Sequence, residues 1–251
     1  MPVVEAPGLK LNAQVLGSGR PLVMLHGLLL GNLSSWYLAA GRLAGGDRQV
    51  ILYDLRGHGN SEVTPSGYGL ESMAGDLTAL LAKLAPDGPI DLAGYSYGSL
   101  VALRYALDHP GRVGRLILVE APLPPLQELT DRYVNADMST LLASVPADLR
   151  KALLASPRRV ASATKRIKTL VRETSLVADV SAEPAFAEEA LRGLSQPTLC
   201  VYGERSEFLD DARYLERTLP DAHLRLVDGS HLLLNENPAG TAAAIKEFLD
   251  G

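Results

Sequence analysis

Ser96 is bracketed by glycines in Gly94-Tyr95-Ser96-Tyr97-Gly98. An apolar run, Pro89-Ile90-Asp91-Leu92-Ala93, precedes this pentapeptide, and a helical pattern from Leu100 to Ala106 follows it. Strand, tight turn and helix around a serine are the context of a nucleophile elbow. The chemistry needs the glycines, because a strained turn leaves no room for side chains against the neighbouring strand and helix. Such a turn lifts the hydroxyl out of the sheet and aims the N–H groups of the following helix at an anion. Outside that context the same pentapeptide would be an ordinary turn, since small residues recur in loops. Serine is a poor nucleophile at neutral pH and requires a base, usually histidine. The five histidines are His26, His58, His109, His223 and His231. His109 precedes Pro110 at a helix end, and His223 is expected to face solvent on a strand. His231 follows a strand and a Gly229-Ser230 turn, which places it in a loop at the carboxyl end of the sheet, on the side of Ser96.

The elements that must position these groups alternate along the chain. Leu9 to Leu16, Pro21 to His26, Val50 to Asp54, the run before Ser96, Arg115 to Glu120, Thr198 to Tyr202 and Leu224 to Val227 read as strands. Leu70 to Leu84 carries apolar residues at helical spacing, and Thr241 to Leu249 closes the chain as a helix. The continuous apolar character of Leu116 to Val119 fits a central parallel strand covered on both faces. The alternation breaks between about Ala121 and Ser195, where Pro122, Pro124, Pro125, Pro146, Pro157 and Pro184 divide a Leu-, Ala- and Arg-rich stretch into about four short helices. The expected organisation is a core of residues 1–120 and 196–251, with residues 121–195 inserted as a helical cap.

The 251 residues are 47% hydrophobic and 21% charged, which suits one globular domain with a full core. The formal net charge of −5 gives no basic footprint for nucleic acid. The single cysteine, Cys200, lies in an apolar strand and reads as an inert buried thiol. The N-terminus shows no secretory signal, and the longest apolar run, Leu22 to Leu30, is too short to span a bilayer, so cytoplasmic residence is the default expectation.

With the elbow placed, the chain resembles the α/β-hydrolase superfamily along nearly its whole length. His26-Gly27 ends a strand, as in that family's oxyanion loop. Asp54-Leu55-Arg56-Gly57-His58-Gly59-Asn60-Ser61 is similar to its D-x-R-G-x-G-x-S turn. Val201-Tyr202-Gly203-Glu204 resembles its G-E-x-D strand end, and Gly229-Ser230-His231 before Asn237-Pro238 resembles its late catalytic histidine. The resemblance implies an α/β fold with a mostly parallel central sheet flanked by helices.

It also implies site roles. Ser96 is the nucleophile and His231 the base. The oxyanion hole is formed by the backbone N–H groups of Leu28 and Tyr97. The acid departs from the pattern: the position after the strand around Cys200 holds Ser206. Some family members, certain haloalkane dehalogenases among them, carry the acid one strand earlier, where this chain has Glu120. Glu204, Glu207 or an incomplete triad are the alternatives, and Glu120 could instead pair with a cap arginine. Asp54, Arg56 and Ser61 are expected to build a structural turn, and Trp36 to lie in the core. No metal-ligand spacing and no phosphate-binding glycine loop is visible, so no cofactor is implied.

Arg150, Lys151, Arg158, Arg159, Lys165, Arg166, Lys168 and Arg172 form the one concentration of charge, inside the expected cap. The cluster is either a solvated helix face or a surface that steers an anionic substrate, a coenzyme A thioester or an acyl carrier protein. The expected function is a serine hydrolase that cleaves a carboxylic ester or thioester through an acyl-enzyme, with a small-molecule acyl compound as substrate. The alternatives are a C–C bond hydrolase, a cofactor-free lyase or cyclase, and a non-catalytic small-molecule-binding protein on the same fold.

Overall fold

Leu22 and Met24 point to one face of a strand while Val23 and Leu25 point to the other, and all four are fully buried. Side chains alternate across a strand, so a strand apolar at every position must be covered on both sides. The same holds for Val50 to Tyr53 and Leu116 to Val119. The computed structural model describes residues 3–6, 8–134 and 147–251, and Pro146 together with part of the expected cap lies outside them.

The strands among the described residues are β1 (Val3–Ala6), β2 (Leu9–Gly17), β3 (Arg20–Leu25), β4 (Arg48–Tyr53), β5 (Ile90–Tyr95), β6 (Val113–Val119), β7 (Thr198–Gly203) and β8 (Ala222–Val227). They form one sheet in the order β1-β2-β4-β3-β5-β6-β7-β8. The β1–β2 and β2–β4 pairs are antiparallel, and every other pair is parallel. Helices α2 (Leu70–Leu84) and α3 (Tyr97–Asp108) and the helix Leu209–Thr218 cover one face; α1 (Tyr37–Leu43) and the closing helix Pro238–Asp250 cover the other. Chain order reverses on either side of β3, and β3 and β5 occupy the middle of the sheet. In an open α/β sheet the carboxyl ends of the strands at such a reversal are where a ligand crevice forms.

Three elements go beyond the expectation. β1 is a four-residue edge strand, α1 buries only Ala39, Ala40 and Leu43 behind a 3₁₀ turn, and Leu209–Thr218 buries only Ala212, Leu215 and Thr218.

Between β6 and β7 the described elements are helical, but not uniformly short. The helix Pro157–Glu173 runs 17 residues, with Pro157 in its first turn, where the missing N–H is harmless. It docks on the turn after β4. Arg166 donates to the carbonyl oxygens of Gly59 (2.8 Å) and Gly57 (3.3 Å), and Leu170 is fully buried. Further along, Asp179 accepts from Tyr68 N–H (2.8 Å) and Glu183 accepts from Leu70 N–H, so two carboxylates satisfy donors at the start of α2. No helix among the described residues is long and apolar enough to cross a membrane.

Candidate active site

The turn that ends β5 is strained in the way its glycines suggest. Ser96 has φ 54° and ψ −126°, outside the regions open to ordinary residues. A Cβ on Gly94 would overlap the Gly98 carbonyl, and one on Gly98 would lie 2.5 Å from His26 O. The backbone is held by Ser96 N–H donating to Val119 O at 2.8 Å, an extension of the β5–β6 ladder. Glu120, the residue that follows β6, is itself at φ 52°, so adjacent strands end in matching kinks.

These kinks bring three side chains together. Ser96 Oγ lies 3.1 Å from His231 Nε2, and His231 Nδ1 lies 3.1 Å from Glu120 Oε2. An ionised carboxylate only accepts, so Nδ1 carries the ring proton and Nε2 is left to accept from the Ser96 hydroxyl. Glu120 is fully buried, while the His231 side chain is 22% exposed. Burial of a charge requires compensation. Glu120 receives it from Gly203 N–H, from Ser206 Oγ–H at 2.6 Å and from His231. Among the described residues Glu120 forms no pair with an arginine of the inserted segment; the partners found are of the core. Glu204 is exposed, and Glu207 pairs with Arg132 at the surface.

Ser206 therefore occupies the usual acid position as a donor to the carboxylate one strand away. Its Oγ also accepts from Phe208 N–H at 3.1 Å, and the Phe208 ring meets His231 edge-on, with centroids 4.9 Å apart. On the other side the Tyr95 ring lies nearly parallel to the imidazole at 5.7 Å, and its hydroxyl donates to His231 O at 2.7 Å. Burial pushes the Tyr95 phenol upward, which keeps it a donor. Sequence reasoning assigned Tyr95, Ser206 and Phe208 no such role; their contacts join three strand ends and no local pattern encodes them. The loop carrying His231 is tied by Ser230 N–H to Glu236 (2.6 Å) and by Asn237 Nδ2–H to Asp228 O (3.0 Å). Asn237 also caps the closing helix through Gly240 N–H, which explains the Asn-Pro pair.

The loop after β3 runs beside the nucleophile. A Cβ on Gly27 would sit 3.0 Å from Ser96 Cβ, a contact tight enough to push the nucleophile by a few tenths of an ångström. Leu28 follows at once. Tyr97, the first residue of α3, has an N–H with no partner inside its own helix. Asp54, Arg56 and Ser61 are structural. Asp54 accepts from Asn12 Nδ2–H, Leu33 N–H and Asn60 N–H, and Ser61 Oγ–H donates to Asp54 O. Arg56 binds Asp76 of α2 through two parallel bonds of 2.7 and 2.6 Å. Trp36 is buried and donates to Leu25 O, His109 stacks on Tyr105, and His223 is exposed on β8. Cys200 is buried, and its thiol is pushed up to about 12 by desolvation, too high to be a nucleophile at neutral pH. A surface cleft of about 510 Å³ lies between α3 and the 184–196 segment and does not include Ser96 or His231.

The sheet order, the elbow and the Ser–His–carboxylate chain define one class of protein. The chain belongs to the alpha/beta hydrolase fold family, whose profile matches residues 20–238. It is 29% identical over 231 residues to the AB hydrolase superfamily protein YisY of Bacillus subtilis strain 168, covering 83% of each chain. It is 27% identical over 264 residues to the sn-1-specific diacylglycerol lipase ABHD11 of Danio rerio, covering 93% of this chain and 79% of that one. A thermophilic esterase from Thermogutta terrifontis superposes with a TM-score of 0.76 at 26% identity, covering 99% of this chain and 96% of the other. The family and these relatives support a hydrolase.

Proposed function

We propose that the protein is a serine hydrolase acting on a carboxylic ester or thioester through an acyl-enzyme on Ser96. The observation that carries this reading is the continuous chain Ser96 Oγ–His231 Nε2 and Nδ1–Glu120 Oε2, with both links at 3.1 Å. Ser96 Oγ bonds to the carbonyl carbon as its proton passes to His231 Nε2. Leu28 and Tyr97 N–H receive the developing oxyanion. The C–O or C–S bond then breaks, and His231 returns the proton to the leaving group. Water repeats the sequence and frees the acid. The names of the lipase and esterase relatives favour an ester over a C–C bond. The non-catalytic reading loses its support, because His231 has a carboxylate despite Ser206. Residues 121–195 are proposed to cap the crevice, with small acyl compounds as substrates.

A fluorophosphonate should add one adduct to the wild type and none to Ser96→Ala, read by intact mass. Labelling that persists in the variant would move the nucleophile elsewhere. His231→Ala should lose about 10³-fold or more in kcat, because the pair acts as a unit. Esters and thioesters of graded chain length then identify the acyl group; an active Ser96 that turns over neither series would favour C–C cleavage.

A further inference from the structure

Two buried histidines outside the triad are stitched into the backbone beside Ser96. His26 Nδ1–H donates to Gly27 O at 2.7 Å, and His26 Nε2 accepts from Leu55 N–H at 2.9 Å. His58 Nδ1–H donates to Arg56 O at 2.8 Å, and His58 Nε2 accepts from Leu29 N–H at 2.9 Å. The stitching is reciprocal: the loop after β3 supplies one ring to the turn after β4, and that turn supplies the other ring back. The ring centroids are 5.4 Å apart.

Peptide geometry gives this arrangement its meaning. Gly27 C=O and Leu28 N–H belong to the same planar peptide unit, so the bond from His26 fixes the plane that carries the Leu28 N–H. Leu29 N–H belongs to the next unit, and His58 fixes that one. Both peptides flanking Leu28 are therefore pinned by an imidazole. Leu29 needs the restraint, since its φ of 62° is a conformation that leucine rarely adopts. Each ring must be neutral with its proton on Nδ1, because protonated Nε2 could not accept. Burial holds them neutral, with His26 pushed down to about 4 and His58 to about 3. Asp54 on the turn and Arg166 on the helix Pro157–Glu173 face His58 with opposing influence.

The geometry points to His26 and His58 as positioning residues that preset the Leu28 N–H as an oxyanion donor. The inference rests on the hydrolase reading above. Neither histidine touches the reacting atoms; each acts through a peptide plane. An oxyanion hole contributes most when its donors need no reorganisation during the reaction, and two rings locked in one tautomer supply that rigidity.

The two rings use different nitrogens on the critical peptides, so they predict opposite rescue patterns. His58 presents an acceptor at Nε2, which the amide oxygen of Gln can replace and Asn cannot reach. His26 presents a donor at Nδ1, which Asn can replace and Gln misplaces. We expect His58→Asn and His26→Gln to lower kcat on an ester by about 10-fold or more with KM unmoved, as for loss of transition-state binding. His58→Gln and His26→Asn should recover most of that loss. Amide exchange at Leu29, followed by NMR, should quicken in His58→Asn and not in His58→Gln. In the wild type, ring nitrogen shifts should report both imidazoles neutral with the proton on Nδ1, a reading that holds even if a variant fails to fold. A wild type labelled at Ser96 but with kcat unchanged in His58→Asn, or a ring protonated on Nε2, overturns this inference. Absence of a Ser96 adduct in the wild type overturns the hydrolase reading instead, while Leu29 exchange still reports on the pinning.

Discussion

Glu120 and Ser206 show how a triad survives relocation of its acid. Glu120 accepts three hydrogen bonds, and two of them converge on Oε2, from Ser206 and His231. An amide at that position would turn an NH₂ group toward donors or drop one of them. Glu120→Gln should therefore keep the fold and lower kcat by about 10²–10⁴-fold, as loss of a triad acid does. Ser206→Asp would replace a donor with a second carboxylate beside a fully buried one. The variant should gain no activity and should unfold at a lower temperature than the wild type, since like charges in one site disfavour joint ionisation. Rescue of Glu120→Gln by Ser206→Asp would show instead that the ring accepts either acid. Ser96 and His231 were legible because each sits in a local pattern with its own turn. Glu120 was legible only as one of several carboxylates, since choosing among them needs the approach of the β7 end to the β6 end. Titration of His26 and His58 belongs to the same scale. Their pKa values fall from about 6.5 in the unfolded chain to about 4 and about 3. The unfolded state thus binds more protons below pH 6.5. The stability these rings contribute is complete above that pH and is lost as pH falls toward their folded values, at about 1.4 kcal/mol per pH unit per ring. Urea unfolding at pH 7, 5.5 and 4.5 should show that loss, with a shallower slope in His58→Gln.

Among the elements, the helix Pro157–Glu173 departs most from its reading. The basic cluster is not a single surface. Arg166 turns inward to the carbonyls of the turn after β4, while Arg158, Lys165, Lys168 and Arg172 are exposed. Those four fall on one side of the helix over ~21 Å at 1.5 Å per residue. The side chain of Arg159 lies outside the described residues. If the exposed row steers an anionic thioester, kcat/KM for that substrate should fall steeply between low and high salt, while a neutral ester should not respond. Equal responses would reduce the row to a solvated face. The strands from β2 onward and α2 were legible because their apolar periods are unbroken, whereas the four-residue edge strand β1 was not. α1 and Leu209–Thr218 were not, because each buries only three residues and owes its helical state to packing on the sheet. Pro157 marked the start of one inserted helix but not its length, since it opens that helix rather than interrupting one, and no proline marks the start of Leu176–Ser181.

For the molecule as a whole, the sheet order explains why so much of the site comes from one stretch of chain. β5, α3 and β6 form a single crossover that carries Ser96, Tyr97 and, at its end, Glu120. Leu28 precedes it. Of the proposed triad and oxyanion donors, His231 alone comes from the far side of the inserted helices, on a loop that exists once β7 and β8 have joined the sheet. Gly203 and Ser206, which donate to Glu120, and Phe208, which meets the His231 ring, come from that side as well. Under the proposed roles this ordering has a consequence for biosynthesis. A chain emerging from the ribosome acquires its nucleophile, both oxyanion donors and its carboxylate long before it acquires the residue that takes the proton. Reactivity then arrives last, as a signature of completion, and a chain that stalls or is clipped before the final turn of assembly carries a silent serine.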